Sequence, residues 1–78
     1  MKASIQKDDQ AEKLILTIVK SLQPVTDDDI YLEYNEITEQ ELRFKEIKDR
    51  LKSMKKLEKI GETFVGYDEK EIWQVKEE

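Results

Sequence analysis

Between Glu41 and Lys59 the chain carries eight Lys/Arg and four Asp/Glu, a net charge of +4 inside a 78-residue protein whose total is −5. The flanks are acidic: residues 1–40 sum to −5 and residues 60–78 to −4. Clustered ammonium and guanidinium groups can neutralise the phosphates of a polyanion, whereas the charge of the whole chain would repel the same ligand. A solvated helix surface with internally paired charges is the competing explanation.

Other chemistry is poorly served by these residues. With no His and no Cys there is no disulfide, no familiar zinc spacing and no Cys or His to act as nucleophile or base. Gly61 and Gly66 belong to no phosphate-cradling motif. Asp27-Asp28-Asp29 offers carboxylates to a hard cation, but no calcium-loop spacing follows, and helix capping explains the run better. The expectation is a binding protein that is not an enzyme and uses no cofactor and no metal. No apolar run approaches the roughly 20 residues of a membrane span, and the first residues lack a signal-peptide core, so a soluble cytoplasmic protein is expected. The 42% charged content, with few Gly or Pro, also fits proteins of hot environments.

The elements that position the basic stretch can be read from hydrophobic periodicity. Ala11, Leu14, Ile15, Ile18, Val19 and Leu22 recur at spacings of three and four, one stripe of an amphipathic helix capped by Asp8 or Asp9 and closed by Pro24. After an extended link at Val25, Thr26 caps a short second helix that runs to about Tyr34, with Ile30, Tyr31 and Tyr34 facing inward. Asn35-Glu36 reads as the turn after it. Thr38-Glu39-Gln40-Glu41 has the form of a capping box and predicts a third helix from Thr38 to about Leu57. Its core face is Phe44, Ile47, Leu51 and Met54, and Lys45, Lys48, Lys52 and Lys56 are placed on the opposite side, with Asp49 among them. The period then changes towards two. Glu62–Tyr67 and Lys70–Val75 predict two strands, and a loop at Asp68-Glu69 would set Val65 opposite Ile72 and Phe64 opposite Trp73. Tyr31, Tyr34, Phe64 and Trp73 are read as mainly core, with Trp73 or the Val65/Ile72 pair left over for an exposed patch. The whole is one domain, residues 1–78, with 1–8 and 76–78 as flexible ends.

Helix, short link, helix, turn, longer helix and hairpin, with the run Leu51-Lys52-Ser53-Met54-Lys55-Lys56-Leu57-Glu58-Lys59-Ile60 closing the third helix, resembles the winged helix-turn-helix family from about Gln10 to Val75. The likeness is to small regulators of archaeal viruses and plasmids and to winged-helix domains of archaeal replication initiators. This chain has Glu58 where that family often has glycine. The resemblance implies an α+β, mainly α fold of three helices and a two-stranded hairpin wing. It also implies that the third helix enters the major groove of double-stranded DNA as part of a homodimeric transcriptional regulator. Gln40 and Arg43 would then read base edges, with Lys45 beside them, and Lys48, Lys52 and Lys56 would contact phosphate. Asp68, Glu69 and Glu71 make the wing acidic. The alternative is therefore a winged-helix module that docks a protein partner through that wing and does not bind DNA.

Overall fold

The computed structural model describes residues 7–76 as three helices and a three-stranded antiparallel sheet, an α+β fold. The chain runs α1 (Lys7–Leu22), β1 (Val25–Thr26), α2 (Asp27–Ile37), α3 (Phe44–Ser53), β2 (Leu57–Val65) and β3 (Asp68–Val75). The flexible ends expected from the sequence fall largely on residues 1–6, 77 and 78, outside the described residues. Asp8 and Asp9 lie within α1, which is already helical at Lys7, so neither caps it.

The predicted apolar stripes form the core. Ala11, Ile15, Ile18 and Val19 of α1, Ile30 and Tyr34 of α2, and Ile47 and Leu51 of α3 are buried together, with Met54 at the end of α3. Val25, Leu57 and Trp73 close the cluster from the sheet. Leu22 and Phe64 are exceptions, both exposed, and Phe44, expected on the core face of the third helix, is only half-buried and lies outside the cluster.

The expected wing has two strands, but the sheet has three, in the order β1-β3-β2. Val25 and Thr26 pair with Trp73 and Ile72, which satisfies the backbone of the link between α1 and α2 and buries Val25. Gln23 Oε1 accepts a hydrogen bond from the Val75 amide at 2.8 Å, fastening the same link to β3.

The hairpin register also differs from expectation. The two-residue turn is Gly66-Tyr67, with Val65 opposite Asp68 and Phe64 opposite Glu69. Gly66 sits at φ 66, a left-handed conformation that glycine adopts without strain, at the first central position of a tight hairpin turn. Phe64 keeps the strand parity of Trp73 but stands four residues further out, beyond the reach of the core. A bulge between Lys59 and Gly61 leaves a regular ladder from Gly61 to Val65.

Candidate nucleic-acid interface

The third helix is shorter than its sequence predicts. Thr38 ends α2, its amide donating to Tyr34 O at 3.1 Å, and its hydroxyl accepts the Gln40 amide at 3.2 Å. Helix α3 begins six residues later, where the Arg43 amide donates to Glu46 Oε1 at 2.9 Å. The cause is Leu42. At 100° per residue, a helix begun at Thr38 would turn Leu42 about 160° away from Phe44 and into solvent. With Thr38–Arg43 irregular, Leu42 packs instead against the core.

Asn35 holds this connection. Its Oδ1 accepts the Leu42 amide at 2.9 Å and its Nδ2 donates to Leu42 O at 3.0 Å. Asn35 and Glu36, expected as a turn, are helical, and α2 extends to Ile37. The far end of α3 is set by Ser53 Oγ and the Met54 amide, both donating to Arg50 O at 3.0 Å. Leu57 then enters β2 opposite Val75, where it is buried. Lys55 and Lys56 therefore lie in a turn, not on the helix.

The exposed side of α3 divides into two strips. On a helical wheel Lys48, Lys52 and Lys45 span about 60°, and Asp49, Ser53, Glu46 and Arg50 occupy the next 100° or so. The second strip lines one depression, and Arg50 faces Glu12 of α1 at 3.8 Å. The first strip borders Phe44. The ring of Phe44 meets Tyr31 edge-on at 5.5 Å between centroids and has the ammonium groups of Lys48 and Lys70 at 5.6 and 5.8 Å. Lys70 comes from β3, opposite Thr63, and lies 3.6 Å from Asp28, so the hairpin adds a cation beside the strip.

Lys48 is not on the face opposite the core. It sits about 40° from Phe44 around the helix, and its Nζ lies 3.9 Å from Asp27 Oδ2. Asp27 is the first residue of α2 and its side chain is fully buried, whereas its neighbour Asp29 donates its amide to Thr26 Oγ1 at 3.2 Å as expected of a capped helix. Neither Asp27 oxygen has a well-formed hydrogen bond. Burial raises the Asp27 pKa, opposed less strongly by the amides of Glu71 and Asp28 and by the Lys48 charge.

Lys45 and Lys52 are exposed and make no ion pair among the described residues. Arg43 is exposed at the start of α3. Gln40 is exposed on the preceding loop and lines a depression of about 360 Å³ with Gln10, Leu14 and Ile37, apart from the lysine strip. Lys56 lines a second groove, about 390 Å³, with Lys55, Glu12 and Leu16. The structure thus brings Lys45, Lys48 and Lys52 together and sets Gln40 and Lys56 elsewhere. Lys70 is the cation that sequence reasoning left out of the site. Its strand-like, acidic surroundings gave no sign that it would fold back against Phe44.

On the face of the hairpin opposite Lys70 the charge is negative. Lys59 donates to Glu62 at 2.6 Å and lies 3.6 Å from Glu71. The hydrogen bond from Lys59 lowers the Glu62 pKa and raises that of Lys59, while the Glu62 carboxylate beside Glu69 raises the Glu69 pKa.

Among the described residues no helix is long and apolar enough to cross a membrane. Comparison with known proteins gives no match: no protein family, no curated protein and no solved structure matches this chain.

Proposed function

We propose that this chain is a winged-helix protein that binds double-stranded DNA through α3 and acts as a transcriptional regulator. The observation that carries the reading is the strip of Lys45, Lys48 and Lys52 along the outer side of α3, flanked by Lys70 from β3. Support for the winged-helix assignment comes from the order α1-β1-α2-α3-β2-β3 and the strand order β1-β3-β2, which set the hairpin beside the third helix. The lysines would neutralise phosphates, and Arg43 at the start of α3 would read a guanine edge. The carboxylates at the hairpin tip keep that end off the DNA. Two copies acting as a homodimer would address half-sites about one helical turn apart, or a multiple of it.

The test is a salt titration of duplex binding by the wild type and by a Lys45→Glu/Lys52→Glu variant. Each lost phosphate contact flattens the log–log salt dependence by about one unit, so the variant should show a slope smaller by about two and far weaker binding at any salt. Equal binding by the two proteins, or none by the wild type at about 50 mM salt, would sink the assignment.

A further inference from the structure

The hairpin carries four of the exposed large apolar side chains among the described residues: Ile60, Phe64, Val65 and Tyr67. Phe64 is 66% exposed and Tyr67 is fully exposed. Isolated apolar residues on a surface need no explanation, but a cluster at the end of one ribbon does. Strand parity puts Phe64 on one face with Glu62, Glu69 and Glu71, and Val65 on the other with Thr63 and Asp68. A flat partner laid on one face would cover only half of this set. A strand added alongside β2 would meet both halves, because its own side chains alternate between the same two faces.

The edge for such an addition is open. In the order β1-β3-β2, β2 pairs only with β3 among the described residues, and from Gly61 to Val65 its ladder is regular, beyond the bulge that distorts it nearer the body. Charge then selects the occupant. Residues 62–71 hold four carboxylates, Glu62, Asp68, Glu69 and Glu71, against Lys70 alone, and Lys70 is turned back to Asp28 and Phe44. Glu62 and Glu69 stand on the same face close enough to perturb each other, with Lys59 bonded to Glu62 as their near cation. A further cation placed beside them would relieve that like-charge contact, whereas an acidic partner or a phosphate backbone would worsen it.

We propose that the open edge of β2 from Gly61 to Val65 binds a basic protein segment as an added antiparallel strand. In this arrangement Lys or Arg of the partner lies against Glu62 and Glu69 with its aliphatic stem over Phe64, and its apolar side chains cover Val65 on the other face. Main-chain hydrogen bonds supply affinity, and the alternation of basic and apolar residues supplies selectivity. The docking is independent of whether α3 holds DNA.

The test selects linear dodecapeptides from a displayed random library against the full chain and follows the enriched peptides by amide chemical shifts and by affinity. The expected result is enrichment of peptides that alternate Lys or Arg with apolar residues, shift the amides of Glu62–Val65, and lose affinity by about tenfold or more on Glu69→Lys or Phe64→Ser. Unchanged Trp73 fluorescence in both variants shows that the fold is retained. Enriched peptides that are neutral or acidic, peptides that shift other amides or ignore Glu69→Lys, or no enrichment at all, overturn the proposal. So does a dimer in sedimentation that Thr63→Pro dissociates, since the occupant of the edge would then be a second copy.

Discussion

Lys48 and Asp27 form an ion pair with one partner wholly inside the protein. The carboxylate is fully buried, the lysine side chain is 31% exposed, and Nζ stands 3.9 Å from Oδ2. The pair joins the first turn of α2 to the middle of α3 and so fixes how the lysine strip is presented. At this separation it is a weak anchor, because desolvating a carboxylate without full hydrogen bonding offsets much of the Coulomb attraction.

The buried carboxylate makes stability depend on pH. Because burial raises the folded-state pKa of Asp27, the folded protein holds the proton more tightly than the unfolded chain does. That contribution is fully present below the unfolded value, about 3.9, and is lost as pH rises through the folded pKa. Asp27→Asn should remove it, so the variant should gain on the wild type as pH rises from about 4 to 7. Urea midpoints across that range measure the difference, and a constant offset would contradict it. Lys48→Met, which removes the opposing charge, should destabilise more at neutral than at acid pH.

The Asn35 clamp should matter more than a loop contact usually does. Asn35→Ala leaves both the amide and the carbonyl of partly buried Leu42 without their partner, at a cost of about 1–3 kcal/mol. Asn35→Asp keeps the acceptor but loses the donor, and should rank between the two. Chemical denaturation gives the order directly.

In the core, Ile47→Ala should cost about 2–5 kcal/mol, because Ile47 is fully buried where α3 meets the rest of the cluster. For a domain this small that is a large share of the total stability. The buried indole of Trp73 reports the loss as a red-shifted emission at lower urea.

At the hairpin turn, Gly66→Ala should cost about 1–2 kcal/mol through the backbone alone. A Cβ at this position would meet no atom within 4 Å, so steric overlap does not contribute. Gly66→Asn, which tolerates the left-handed region better, should cost less, and a thermal melt separates the three proteins. Equal melting temperatures for all three would show that the turn relaxes freely.

Much of this architecture was legible in one sequence because it rests on local periodicity. The three-and-four spacing of Ile15, Ile18 and Val19, the step from Ile30 to Tyr34 after the Thr26 cap and the step from Ile47 to Leu51 each bury a face for reasons internal to one helix. The charge inversion from Glu41 to Lys59 needed only counting. The tertiary structure decided what no local pattern contains. Thr38 to Glu41 spells a helix start, but packing of Leu42 and the Asn35 clamp outweighed a capping box whose value is about one kcal/mol. Val25 and Thr26 became a strand only because β3 lay alongside. The hairpin register depended on Gly66, and so placed Phe64 outside the core. Lys48 went to Asp27 and Lys70 to Phe44 because other elements supplied the partners. The types and spacing of residues settled which faces were apolar and which were basic. Their meeting across distant segments, a matter of burial and electrostatics in three dimensions, settled which of those charges are available.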